Sequence, residues 1–222
     1  MLFRSLRSIE YVRNNNIPIL GINTGRLGFL ASTKKENIEK SLQKIFKKKF
    51  KIEERSLIKV SIEGDKQLDS EFPYALNEIS VVRKDTTSMV NIKTSLNGIH
   101  VNSYWSDGLI VSTPTGSTGY SLSCGGPVIS PSSESLVLTP ISPHNLNARP
   151  LVISDTTKIS ISVSGREDYH LLSIDSKVYT VKNETKILVE KSDFNIKVAN
   201  LNHYNFYKTL KEKLLWGKDK RN

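Results

Sequence analysis

From Leu57 onward the apolar residues fall on every second position, and this periodicity restricts the architecture more than any other property of the chain. Ile58, Val60 and Ile62 alternate with other residues, as do Ile159, Ile161 and Val163, then Ile187 and Val189, then Phe194, Ile196 and Val198. Successive side chains of a strand point to opposite faces, so alternation gives each segment one apolar and one wet face. Broken by Gly, Asn, Asp and Ser, it predicts an antiparallel, sandwich-like domain. The first 33 residues follow another rule. A helix with Leu2, Leu6, Ile9 and Val12 on one face, a buried strand from Pro18 to Ile22 and then a glycine loop form a fragment of an α/β layer. Such a fragment leaves apolar surface uncovered, because a doubly wound domain needs several such units around one sheet. The expected class is therefore α+β: a partial α/β domain over 1–53, an all-β domain over 54–200, and a closing segment over 201–222. Its helix, from Phe206 to Leu215, would fold back on the first domain.

Composition narrows the function classes. A chain of 222 residues with 37% hydrophobic content can bury a real core. No apolar run approaches the roughly 20 residues that span a bilayer, and the first residues lack the pattern of a signal peptide. A cytoplasmic protein with no membrane role is expected. The lone Cys124 cannot form an internal disulfide and reads as a small packing residue. The net charge of +10 is concentrated in two places: 34–59 has 10 Lys or Arg against 4 Glu, and 208–221 has 6 against 2 acids. In the first, Ile38, Leu42, Ile45 and Phe46 keep helical spacing behind Thr33 and Glu36, which are placed as a capping box. The lysines thus read as the wet face of a surface helix, and no nucleic-acid partner is expected.

The run Asp107–Pro127, DGLIVSTPTGSTGYSLSCGGP, carries the densest chemistry. Leu109, Ile110 and Val111 form a short buried strand ending at Ser112, which Pro114 stops from continuing. Thr115, Gly116, Ser117 and Thr118 then offer three hydroxyls and one unhindered backbone, suited to a helix N-cap that also presents amide N–H groups to an anion or polar ring. Tyr120–Ser123 would be a short helix, stopped by Gly125-Gly126-Pro127. An ordinary strand-turn-helix junction has the same ingredients. Asn77-Glu78, just before the apolar Ile79, Val81 and Val82, places an amide and a carboxylate where they can grip two ribose hydroxyls, or sits there as a solvated turn. Gly21, Gly25 and Gly28 follow a strand, but their spacing is not G-x-G-x-x-G. Phe29 beyond them serves packing or base stacking equally well. There is no Walker A motif and no G-x-S-x-G elbow, and the four histidines form no metal-site pattern.

The order of DG, STPTGST, Tyr-Ser-Leu-Ser and GGP resembles the signature of NAD kinases. Three further segments agree in order: Gly21–Leu30, Leu76–Glu78 and Pro143–Val152. The C-terminal Leu210–Gly217 is similar to the family's closing helix, so the resemblance runs from about Ser5 to Arg221. It implies a Rossmann-like N-terminal domain, of which 1–53 would be a remnant, and an all-β NAD-binding domain. It also implies transfer of a phosphoryl group from ATP or another donor to the adenosine-ribose 2′-hydroxyl of NAD. NAD and ATP would be the ligands, Mg²⁺ or another divalent cation would enter with ATP, and the protein would be a homodimer or homotetramer.

For the site, the resemblance implies that Phe29 lies over the nucleotide and that Asn77 and Glu78 bind the ribose. Asp107 would reach the nucleotide, often across a subunit boundary, while Trp105 stands where the family often has a basic residue. Thr118 and Ser123 would hydrogen-bond the nucleotide and Tyr120 would pack on it. Gly119 replaces the usual alanine, at a helix-propensity cost of about 1 kcal/mol. Ser121 and Leu122 complete that stretch, and Ser142–His144 lines the same pocket; His144 reads equally as a surface residue. Asp175 matches the aspartate of the family's Asp-Gly-Gln, whose glutamine position is Lys177. The family's GGDGT aspartate, which contacts the ribose to be phosphorylated, has no counterpart here: the corresponding places fall on Met1, Leu2, Phe3 and Arg4. The expectation is an N-terminally truncated copy whose activity as written is open and in which no catalytic residue is assigned. A non-catalytic NAD- or NADP-binding or assembly module is the alternative, with a GGDGT-type lipid or sugar kinase well behind.

Overall fold

The computed structural model describes residues 4–23, 29–31, 33–64, 71–85, 88–201 and 206–215. The chain divides into two compact units, one of Met1–Arg55 with Ile196–Asn222 and one of Ser56–Asn195.

In the first unit, helix α1 (Arg4–Val12) buries Leu6 and Ile9 on the face that their spacing selects. The segment from Pro18 to Ile22 is not a buried strand. Ile19 makes a single parallel bridge to Val198, and β1 (Ile22–Asn23) pairs in parallel with β2 (Thr33–Lys34), while Pro18 and Ile22 stay exposed. An apolar run becomes a buried strand only between two partners. Of the glycine loop, residues 24–28 lie outside the described residues, as does Leu2. Helix α2 (Ile38–Phe46) follows a 3-10 turn, Lys35–Asn37, and the capping box does not form. Thr33 belongs to β2 instead, with its hydroxyl buried and unpartnered. Helix α4 (Phe206–Leu214) meets the first segment where Phe206 packs on Phe29 with ring centroids 6.2 Å apart.

The second unit bears out the antiparallel, sandwich-like expectation. Its strands form two six-stranded sheets. The first has the order β10 (Leu151–Ser154), β9 (Ser135–Ile141), β8 (Gly108–Ser112), β5 (Glu78–Arg83), β12 (Tyr169–Ile174) and β13 (Lys177–Lys182). The second has β4 (Tyr74–Ala75), β3 (Lys51–Ile62), β14 (Ile187–Asn200), β11 (Ile159–Ser164), β6 (Val90–Leu96) and β7 (Ile99–Ser106). Ile79, Val81, Leu109, Val111 and Leu172 of the first sheet share one core with Ile58, Val60, Ile92, Ile159 and Val189 of the second. The period-two residues of β3, β11 and the Ile187–Val189 part of β14 thus form the inner face of the second sheet.

Candidate functional site

The chain enters β5 through the turn Leu76-Asn77-Glu78, and neighbours on both sides hold that turn. β8 lies on one side, with Ser112 opposite Glu78, and β12 on the other, with Ile174 opposite Ile79. From the β8 side, Thr113 donates its N–H to the Asn77 carbonyl at 2.9 Å and its hydroxyl to the Leu76 carbonyl at 2.6 Å. From the β12 side, the Asp175 carboxylate accepts the N–H groups of Leu76, Asn77 and Glu78 at 2.9, 2.9 and 3.2 Å. The Asp175 N–H in turn donates to the Glu78 carbonyl at 2.9 Å. Partly buried backbone groups outside a ladder need such partners, and here they find them on both faces of the turn.

The segment after β8 folds as its residues predict, but its hydroxyls do not serve as expected. β8 is buried at every position, a 3-10 turn spans Gly116–Thr118, and α3 is Tyr120–Ser123. Neither helix has a side-chain cap. The Ser117 hydroxyl donates to the Pro114 carbonyl at 2.7 Å and accepts the Ile129 N–H at 3.0 Å, and Thr118 donates to the Thr115 carbonyl at 3.2 Å. Ser121 is fully buried with its hydroxyl 2.8 Å from that of Thr139, so its side chain supports the wall rather than offering itself to a ligand. The backbone at Gly116 is not unhindered either. A Cβ there would come within 2.0 Å of the Asn77 carbonyl oxygen, so glycine is required for the turn and the loop to touch. Gly119 is the residue before α3 rather than inside it, where a glycine carries little helix-propensity cost, and a Cβ on it would stand 3.0 Å from Glu78 Oε2.

Glu78 is the electrostatic centre of this region. Burial, and secondly the Asp175 charge, push its pKa up to about 7, against an opposing hydrogen bond from the backbone of Tyr120. Its Oε2 is buried without a hydrogen-bond partner. The Tyr120 phenol is held above its ordinary value by partial burial and by the charges of Cys124, Asp107 and Glu78. Glu78, Gly119 and Tyr120 therefore converge, with Asn77 beside them, and Leu122 and the exposed Ser123 follow on α3. Lys177 opens β13 two residues beyond Asp175, at the same end of the sheet.

Asp107 precedes β8 at the end opposite Ser112, five positions or roughly 17 Å away by strand rise, yet its charge still acts on the Tyr120 phenol. There Asp107 Oδ1 lies 3.2 Å from Arg83 Nε, and Ser142, with φ of 45°, follows Ile141, which faces Gly108. Exposed Trp105 lies near, its ring centroid 6.4 Å from that of His144. Phe29 belongs to the first unit, where Lys213 Nζ also stands 5.0 Å over its ring. Sequence reasoning did not foresee the anchoring by Thr113 or the three-amide grip of Asp175. The only local signal for the latter is an aspartate in a hairpin turn, here with φ of 49°.

Residues 76–201 match the model of the ATP-NAD kinase C-terminal domain, and residues 5–50 that of the ATP-NAD kinase N-terminal domain. The chain belongs to the NAD kinase family. It is 55% identical over 217 residues to the NAD kinase of Flavobacterium psychrophilum, covering 98% of this chain and 74% of that one. The NAD kinase of Bacteroides fragilis is 44% identical over 216 residues, covering 97% and 74% respectively. Among solved structures, the yeast NADH kinase complexed with NADH superposes with a TM-score of 0.85 at 25% identity, over 97% of this chain and 64% of that chain. An NAD kinase from Archaeoglobus fulgidus in complex with ATP gives a TM-score of 0.79 at 31% identity, over 95% and 78%.

Proposed function

We propose that this chain is an NAD kinase that binds NAD at the Asn77–Glu78 turn and transfers a phosphoryl group from ATP to the adenosine-ribose 2′-hydroxyl, giving NADP. The observation that carries this is the state of Glu78: a buried carboxylate with an unpartnered oxygen, on a turn whose backbone is held from both sides. Ribose hydroxyls donating to that oxygen would supply the missing hydrogen bonds. Asn77 grips the ribose beside it, Tyr120 packs on the nucleotide, and Thr118, Gly119, Leu122 and Ser123 line the same wall. Lys177 contributes from the β12–β13 hairpin. Asp107, whose charge acts on the Tyr120 phenol, reaches the nucleotide from the Gly108 end of β8 with Ser142 near it, and the protein is a homodimer or homotetramer.

Among the described residues there is no cluster of three or more His, Cys, Asp or Glu able to hold a metal ion. Magnesium would enter with the triphosphate, bound largely by phosphate oxygens and water. No helix among the described residues is long and apolar enough to cross a membrane; the cytoplasm, where NAD and ATP are available, is the proposed location.

The test is to incubate the purified 222-residue chain with NAD, ATP and magnesium and to measure NADP with an NADP-specific dehydrogenase. NADP formation supports the kinase. Binding of NAD in calorimetry with no turnover, even when an N-terminal extension bearing the family's GGDGT segment is added, selects the non-catalytic binding module, and absence of both refutes the reading.

A further inference from the structure

We propose that Asp175 is a positioning residue of the nucleotide site: its carboxylate gathers the amides of Leu76, Asn77 and Glu78 and so fixes the two side chains that grip the ribose. The inference rests on the reading of Asn77 and Glu78 as that grip. It stands on geometry. Three amide-to-carboxylate bonds of 2.9, 2.9 and 3.2 Å and one returning bond of 2.9 Å tie the β12–β13 turn to the entry of β5. Asp175 spends a left-handed φ of 49° to reach that position, a conformation that aspartate and asparagine tolerate better than most residues. Thr113 ties the carbonyls of the same turn from the other strand, so without Asp175 the turn would be held on one side alone. The turn bears the two residues that meet the ligand, and its amide face is where the grip can loosen.

A second consequence concerns charge. The titratable group that acts on Glu78 is Asp175 across the turn, Tyr120 on α3 meeting it through its backbone, while the Tyr120 phenol is itself acted on by Cys124, Asp107 and Glu78. Asp175 raises the pKa of Glu78, though less than burial does. Removing its charge therefore makes Glu78 ionise at lower pH without restoring its ordinary value.

Asparagine keeps the size and the tolerance of positive φ but loses the charge and part of the acceptor capacity. Calorimetric titration with NAD of the wild type, Asp175→Asn, Glu78→Gln and the double variant, each as the full chain and across a pH series, separates the contributions. Asp175→Asn is expected to bind about tenfold more weakly where Glu78 is ionised, the scale of losing one charge-assisted hydrogen bond. Its inflection should move to lower pH, and in the Glu78→Gln background no such movement should remain. Wild-type affinity with an unmoved inflection in Asp175→Asn overturns the positioning role alone. Absence of NAD binding by the wild type overturns the site assignment, and the positioning role with it. Should Asp175→Asn fail to fold, amide exchange in the wild type decides: slow exchange at Leu76 and Asn77 supports the grip, and exchange at unprotected rates contradicts it.

Discussion

Strand Gly108–Ser112 carries a continuous apolar run and helix Ile38–Phe46 an apolar face at helical spacing, yet the strand is buried at all its positions while Leu42 is 44% and Phe46 82% exposed on the helix. The strand lies between β5 and β9 within its own sheet, and Leu109 and Val111 pack in the shared core, so an unbroken apolar run is buried throughout. The helix uses little of its apolar face: Ser41 is its buried residue, donating to the Asn37 carbonyl at 2.8 Å. Periodicity thus determines local form, and burial depends on what stands opposite. Function follows burial here. The loop that leaves the buried strand presses on Asn77, and the resulting low-dielectric environment is what perturbs Glu78.

The contrast can be broken first at its buried end. Leu109→Ala in β8 should cost about 2–5 kcal/mol, as truncations of fully buried leucines do, read as a lowered urea midpoint. A loss near zero would mean the strand is not core. Gly116→Ala comes next. The added Cβ meets backbone and not a flexible side chain, so about 1–3 kcal/mol of stability should be lost, together with NAD binding, because Asn77 must move. Unchanged affinity for NAD would separate the loop from the site.

Glu78→Gln should act in the opposite direction on stability. The folded-state pKa of Glu78 is about 7 against an ordinary 4.5, so between these values the folded protein holds a proton that the unfolded chain has released. Stability from this group therefore falls as pH rises through that window, and the neutral glutamine escapes the loss. The variant should be more stable than wild type by on the order of 1–2 kcal/mol at pH 8, with the difference vanishing below about pH 4.5. A difference independent of pH would assign the effect to packing. The smallest effect belongs to the helix: Phe46→Ser should change stability by no more than about 0.5 kcal/mol, as exposed substitutions do. A larger loss would show that the ring is covered in solution.

The α+β class, the sandwich and the sequence of strand, 3-10 turn and short helix over 108–123 were legible from residue pattern, because alternation, Pro114 and the glycine pair act locally. Asn77, Glu78 and Tyr120 were legible through family resemblance, and the structure brings them together. What local reading missed was direction. Ser117, Thr118 and Ser121 turn their hydroxyls to Pro114, Thr115 and Thr139, partners that no spacing reveals for a hydroxyl able to donate and accept. Thr33 and Glu36 had the spacing of a capping box, but Thr33 was drawn into a strand pair with Ile22. Asp175 lies 99 residues from Leu76, and a partner at that separation is set by the register of β12 on β5.

Whether Glu78 is the ionisable grip of the nucleotide site is tested most directly by calorimetric titration with NAD across its ionisation range. If ribose hydroxyls donate to its carboxylate, wild-type affinity should climb about tenfold between pH 6 and pH 8, one unit either side of about 7, while Glu78→Gln binds weakly and with a flat profile. A flat wild-type profile, or a Glu78→Gln protein that matches wild type throughout, would contradict it.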